Sequence, residues 1–288
     1  MKPPTLQIME AMDARMALKS DGKKYLENLK KGYEGEIQFI GKLSALQCPH
    51  ILLNDLMVHP KFSGQIQIDS LLIIKDSIIL YEVKNYSGNW TYGTETFKND
   101  AIEIPNPMIQ ALRTKNNFKQ LIREFGYPNM NVEVCVVFIH PEFTLYHAPF
   151  NKNMIFHSQI SDHLSHLEQF AKPLSWVFDE LITFLGTVKL PPEIFKRQIP
   201  PYEYADFKKG IRCEKCNQIL RRKSQRVSYC SICKSDSYNH DGVVRAIEEF
   251  RLLFPEKKLT GRLLMDWTDN TLSHTRCKVI LKEARSDF

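Results

Sequence analysis

The chain has 288 residues, 43% of them apolar and 25% charged, ordinary for a soluble globular protein and enough for one sizeable core plus a smaller unit. No run approaches the ~20 apolar residues of a membrane span, and Met1-Lys2-Pro3-Pro4-Thr5 leads into a polar stretch without the apolar core of a signal peptide; a cytosolic protein with no membrane partner is expected. The net charge of +6 is uneven: residues 201–288 hold 18 Lys+Arg against 12 Asp+Glu, while residues 1–200 hold 21 of each. A basic last third suggests nucleic acid or an acidic membrane surface, the bland alternative being a solvated face.

Residues 1–30 are polar, with weak helical periodicity at Leu18, Tyr25, Leu26 and Leu29, and read as a leader helix without chemistry. From Tyr33 to Leu46 the pattern firms up, with Ile37, Ile40, Leu43 and Leu46 at helical spacing and Glu36 one residue before the stripe. Cys48-Pro49 stops this helix. A short strand follows at Ile51-Leu52-Leu53, trailed by Asn54-Asp55, and His59–Gly64 is a loop. Gln65–Ile74 and Ile78–Lys84 are two Ile/Leu-rich runs around the polar turn Lys75-Asp76-Ser77, a β-hairpin. Asn85–Tyr92, around Gly88, is a third strand or an extended loop.

Asn106-Pro107 starts a long amphipathic helix that carries Met108, Leu112, Phe118, Leu121, Ile122 and Phe125 and ends at Gly126, with Asn106 able to cap it. Val132–Ile139 is a β-branched strand, and helices are expected over Ser158–Phe170 and Leu174–Val188. The segment 190–206, with Pro191-Pro192 and Pro200-Pro201, reads as a linker. It separates a domain over 31–189 from a cysteine-bearing module over 207–238 and a helical tail over 239–288.

The hairpin is chemically odd. Asp69 sits on its first strand, and Glu82 and Lys84, two apart, share a face of its second. Charges in an apolar hairpin are costly unless they pair or bind a metal. A salt bridge on a solvated face is one explanation. A divalent-metal site with a catalytic lysine is the other: Mg²⁺ (or Mn²⁺) takes one or two carboxylates plus waters and substrate phosphate, here from Asp69 and Glu82, and Lys84 could orient a water or neutralise developing charge.

The set Gly32-x-x-Gly35-Glu36, Gln67-Ile68-Asp69, Glu82-Val83-Lys84-Asn85, Gly88 and Asn106-Pro107-x-x-Gln110 resembles the nuclease-related domain (NERD), a branch of the PD-(D/E)xK restriction-endonuclease-like superfamily. The resemblance covers roughly residues 31–120. It implies an α/β fold with an α-β-β-β-α-β core, Mg²⁺ on Asp69 and Glu82, a catalytic Lys84, and assistance from Glu36 and Gln110 on flanking helices. The Pro of the superfamily's name is absent before Asp69, where Ile68 stands.

Of seven cysteines, Cys213, Cys216, Cys230 and Cys233 form two C-x-x-C pairs with 13 residues between them, the pattern of a closed structural Cys₄ zinc ribbon. An odd total without a secretion signal disfavours a disulfide framework. Arg221, Arg222, Lys223 and Arg226 lie in the loop between the pairs and offer sequence-independent phosphate contacts. In the tail, Thr260–Trp267 and Ser273–Glu283, broken at Asp269-Asn270, could form a helix-turn-helix with His274, Arg276 and Lys278 outward, or a plain helical pack. The function these features imply is metal-dependent phosphodiester hydrolysis, with DNA the expected substrate and the basic ribbon holding the nucleic acid. The rivals are a silent nuclease fold that only binds DNA and an adaptor whose zinc shapes a partner surface.

Overall fold

A computed structural model describes residues 2–16, 18–61, 64–169, 172–191 and 199–286. Phe62 and Ser63 of the expected loop, Phe170 at the end of an expected helix, and residues 192–198 of the expected linker lie outside the described residues. The chain divides into two compact units, Lys31–Pro192 and Met1–Lys30 together with Glu193–Phe288. The first 30 residues, which read from sequence as a separate leader, thus group with the C-terminal part.

The central unit is built on a five-stranded sheet. Strands β1 (His50–Val58), β2 (Ile66–Ile74) and β3 (Ser77–Lys84) form an antiparallel meander, and β7 (Asn131–Phe138) and β9 (Met154–Phe156) add in parallel, in the order β1-β2-β3-β7-β9. A second sheet, β6-β5-β4-β8, joins β4 (Gly88–Tyr92), β5 (Thr96–Lys98), β6 (Glu103–Pro105) and β8 (Phe143–Tyr146). Helix α2 (Ser20–Ser44) leads into β1, α3 (Pro107–Glu124) connects the second sheet to β7, and α4 (Ile160–Gln169) and α5 (Val177–Val188) follow β9.

Alternation along the strands explains why both faces of the main sheet are covered. Leu71, Ile73, Ile78 and Leu80 pack with Phe118, Leu121 and Ile122 of α3 and with Leu181 and Leu185 of α5. Their neighbours Leu72, Ile74, Ile79 and Tyr81 pack with Phe39 and Leu43 of α2 and with Leu167 of α4. A strand buried on both faces is a continuous apolar run, which is how Ser70–Ile74 and Ile78–Tyr81 read.

The buried stripe of α2 is rotated from the expected one. Phe39, Leu43 and Leu46 are buried, whereas Ile37 is 46% exposed. The cause is at Gly35, where a Cβ would come within 2.8 Å of Asn85 Cβ and 3.0 Å of Ile139 Cγ2. The helix backbone lies against the ends of β3 and β7 there, so the Gly35 line faces inward and Ile37 turns outward. Asn85 secures the approach by donating from Nδ2 to the Lys31 carbonyl at 2.7 Å.

Helix α3 starts as its sequence demands. Asn106 caps it by accepting from the Met108 N–H at 2.9 Å, with Pro107 in the first turn. The same buried side chain donates to the carbonyls of Gly93 and Thr94, which fixes the helix start to the second sheet.

The other unit contains α1 (Pro4–Arg15), the first residues of α2, a three-stranded sheet of β10 (Arg221–Arg222), β11 (Val227–Tyr229) and β12 (Asp236–Tyr238), and helices α6 (Asn239–Leu253), α7 (Gly261–Trp267) and α8 (His274–Ser286). Leu6, Ile8, Met9 and Met12 of α1 are buried, as are Ile247, Phe250 and Leu253 of α6 and Trp267 of α7. Alpha1 packs on α6. Arg15 is the polar centre of this core. Its Nε donates to Glu249 Oε1 at 2.6 Å, Nη1 to the Lys208 carbonyl at 2.7 Å and Nη2 to the Gly210 carbonyl at 2.9 Å. Its guanidinium lies 4.0 Å from the centre of the Trp267 ring. Arg212 pairs with the other oxygen of Glu249. Asp269 and Asn270, both at positive φ, make the turn between α7 and α8.

Candidate functional sites

The hairpin places its charged residues at one end of the sheet. The β2–β3 ladder runs from Ile74 opposite Ser77 to Ser70 opposite Tyr81, so Asp69 and Glu82 come next, where the ladder ends. Asp69 Oδ2 accepts the Val83 N–H at 2.8 Å, a bond that replaces a missing rung and fixes the carboxylate. Glu82 is 6% exposed, and its Oε1 accepts from Lys84 Nζ at 2.6 Å. Glu36 reaches the group from α2, one residue past the close approach at Gly35.

Electrostatics bind these residues into one site. Burial first, then Glu82 and Glu36, push the Asp69 carboxyl well above the usual range, although the Val83 N–H and Lys84 oppose them. Burial, then Asp55 and Glu82, push Glu36 up to about 7 against the pull of Lys84. Burial alone would lower the Lys84 ammonium, but Glu82, with Tyr86 and Asp69 adding to it, holds it above the ordinary lysine value. Like-charged carboxylates in a partly dry site disfavour their own ionisation, and a cation relieves them.

Asp55 escaped the sequence reading. It stands in β1 between Asn54, which pairs with Ser70, and Leu56, which pairs with Ile68, so it belongs to the same end of the hairpin as Asp69. It takes φ +48° and is held by Gln67 Nε2 on Oδ1 at 3.0 Å. The signal in the sequence was Asn54-Asp55 inside an apolar strand, where a residue tolerant of left-handed backbone is needed. Tyr86, stacked on Trp90 at 5.4 Å between ring centres, was also missed. Gln110 lies one turn into α3 and is exposed; the structure gives it no bond to the carboxylate group.

The donor set suits a hard divalent cation, which asks for one or two carboxylates and completes its shell with water and phosphate. Asp69 Oδ1, the oxygen that does not bond Val83, and the second oxygen of Glu82 are the candidate ligands. Three carboxylate oxygens within 4.8 Å of one another are not found here: among the described residues, the group that meets that distance is Cys213, Cys216, Cys230 and Cys233.

The four cysteines come from two turns, one before β10 and one joining β11 to β12. Cys216 and Cys230 Sγ stand 3.4 Å apart. In the second turn, the Cys233 N–H donates to Cys230 Sγ at 3.4 Å. That N–H is the first cause that lowers the Cys230 thiol to about 7, with the neighbouring thiols and the Ile232 N–H adding to it. Backbone donors aimed at sulfur stabilise thiolate, the form that binds metal. Four thiols at this spacing fit a tetrahedral structural Zn²⁺ with no open position. Arg221, Arg222, Lys223 and Arg226 are all exposed on the strands and turn between the two pairs. Among the described residues, no helix is long and apolar enough to cross a membrane.

Residues 31–139 match the family model of the nuclease-related domain, NERD. The chain therefore carries a nuclease-related domain in its central unit and, C-terminal to it, a cysteine cluster that fits a zinc ribbon. No curated protein matches the chain. A solved crystal structure of a protein of unknown function, AF1548, aligns with 9% identity and a TM-score of 0.25 over 89% of this chain and 97% of its own, a likeness too slight to inform the fold.

Proposed function

We propose, for a chain with a nuclease-related domain at residues 31–139, that it hydrolyses phosphodiester bonds of DNA with Mg²⁺ or Mn²⁺ at the end of the β2–β3 hairpin. The observation that carries this reading is the excess of acid there: Glu82 and Asp69 act on Lys84, and Asp55 and Glu82 act on Glu36, with Lys84 the one cation opposing them. Asp69 and Glu82 would hold the metal, which when bound polarises the phosphoryl oxygen and lowers the pKa of a coordinated water. Lys84 keeps its proton at Nζ beside Glu82, so it is a fixed positive charge for the phosphate as negative charge develops. The Val83 N–H holds Asp69 in place, and Gly35 lets Glu36 reach the rim. Gln110, exposed on the first turn of α3, would contact the nucleic acid backbone. Arg221, Arg222, Lys223 and Arg226 would bind phosphates without regard to sequence.

The test is incubation of plasmid and single-stranded DNA with purified protein and Mg²⁺ or Mn²⁺. Cleavage should fall by at least about a hundredfold in Lys84→Ala and in Asp69→Asn, given the usual weight of a lost charge stabiliser. Equal cleavage by wild type and both variants would end the catalytic reading.

The exposed Arg221, Arg222, Lys223 and Arg226 serve a second reading equally well, a nucleic-acid-binding protein whose nuclease fold is silent. It predicts salt-sensitive DNA binding without metal-dependent cleavage under any of these conditions.

A further inference from the structure

The two faces of the β10–β11–β12 sheet differ in kind. On one, Ser228 is 1% exposed and donates to Asn239 Oδ1 at 2.6 Å. Asn239, fully buried at the start of α6, donates in turn to the carbonyls of Ser224 and Gln225. Around Ser228 that face is closed by the unit's own packing, with Arg222 exposed at its edge. Successive side chains on a strand point to opposite sides, so Val227 and Tyr229 face away from it. The register carries the alternation across the sheet: Arg221 is opposite Tyr229, Tyr229 opposite Asp236, and Val227 opposite Tyr238.

This second face is aromatic, basic and open. Tyr238 is 68% exposed. Tyr229 is partly exposed, and Lys223 Nζ lies 5.9 Å from its ring centre while pairing with Asp236 at 2.8 Å. Tyr229 and Tyr238 are diagonal neighbours on adjacent strands, which sets their side chains about 7–8 Å apart. A single exposed aromatic needs no explanation. Two on one open face, beside the exposed Arg221 and Lys223, are the composition of a strand-binding surface.

We propose that this face is a stacking platform for single-stranded nucleic acid, on which Tyr238 and Tyr229 take bases and Arg221 and Lys223 take the flanking phosphates. The proposal rests on the nucleic-acid reading above and narrows it to an unpaired strand. In a duplex the base faces are covered by one another, and only edges and phosphates are presented. A tyrosine ring on an open sheet therefore gains from a base only when the strand is unpaired. The basic side chains would hold duplex and single strand alike, so the tyrosines carry the discrimination.

The experiment uses the full chain with Lys84→Ala to prevent cleavage, and reads fluorescence anisotropy with three 15-residue probes: oligodeoxythymidylate, an abasic strand with the same phosphates, and a duplex. Oligodeoxythymidylate should bind about tenfold more tightly than the abasic strand, within the range of a stacked base. Tyr238→Leu should remove that difference and Tyr238→Phe should keep it. Because Tyr238 is exposed, neither change should alter the circular dichroism spectrum. Arg221→Glu with Lys223→Glu should weaken all three probes. Equal binding of the abasic and thymidylate strands, or an unchanged Tyr238→Leu, overturns the platform while nucleic-acid binding stands. If none of the probes binds at low salt, the underlying nucleic-acid reading falls and the platform falls with it.

Discussion

Each unit buries charge, and the two do it in opposite ways. In the unit of residues 1–30 and 193–288, Arg15 is almost wholly buried, yet its Nε and both terminal nitrogens find acceptors, and the anion that Nε meets, Glu249, also pairs with Arg212. In the central unit, Lys84 is the one cation among the causes that act on Glu36 and Asp69, and burial together with neighbouring carboxylates drives both of those carboxyls up. The first arrangement is complete without a ligand and ties α1 to the loop before the ribbon and to α6. The second lacks positive charge. A buried network that balances itself is architecture; one left with surplus acid is poised for a cation.

The largest expected effect comes from breaking the balanced network. Arg15→Met removes three hydrogen bonds and the contact with Trp267, and it leaves Glu249 with Arg212 alone. The loss of one partner of a buried pair costs about 3–5 kcal/mol. Thermal or urea unfolding should show that loss in the unit of residues 1–30 and 193–288. If Arg15→Met melts like wild type, the network is not what holds α1, and the contrast between the units fails.

Relief of the unbalanced site should do the reverse. Asp69→Asn keeps an oxygen for the Val83 N–H and takes away one of the crowded carboxylates. Its stability without metal should match or exceed wild type by about 1 kcal/mol, since a strained functional group is being removed. Millimolar Mg²⁺ should raise the melting temperature of wild type and leave Asp69→Asn unmoved. A destabilised Asp69→Asn that still responds to Mg²⁺ would show that the cation, if one binds, sits elsewhere.

The parts of this contrast were unequally legible in the sequence. The hairpin, its Asp69, Glu82 and Lys84, the capped α3 and the cysteine pairs are local patterns, and each is fixed by neighbours within a few residues. What escaped depends on distant contacts. Helix α1 looks polar because its apolar residues are spaced among Gln7, Glu10 and Asp13, and only the burial of Leu6, Met9 and Met12 against residues more than 200 positions away explains them. The stripe of α2 was misjudged because Gly35, which carries no apolar surface, decides which side faces the sheet. The short strands β5, β6, β8 and β9 have three or four residues each, too few for a period to show. Asp55 was passed over because its role lies in a strand register that spacing alone does not give.

A smaller effect separates a third buried titratable group from both networks. His163 lies behind the sheet, where the Tyr81 hydroxyl is 2.8 Å from its Nε2 and the rings meet edge to face. Burial first, then His166, lower its pKa to about 4, with Glu133 opposing. Burial, then Cys135 and Glu133, keep the Tyr81 phenol protonated well past its ordinary range, so Tyr81 donates and neutral Nε2 accepts. The unfolded chain gains a proton on this histidine near pH 6.5, whereas the folded chain gains it only near 4. Stability is therefore full above about 6.5 and falls with pH across the window down to about 4, by about 1.4 kcal/mol per pH unit at most. His163→Gln can still accept from Tyr81 and does not titrate. Between pH 7 and 5 the wild type should lose about 2 kcal/mol more than His163→Gln, read as the difference in urea midpoints. Mg²⁺ should not alter that difference, because the groups that act on His163 are His166 and Glu133, neither of them a hairpin carboxylate. Parallel pH profiles for the two proteins would mean that His163 titrates in the fold as it does in water; the raised hairpin carboxyls could not take its place, because they bind protons more readily in the fold and gain stability as the pH falls.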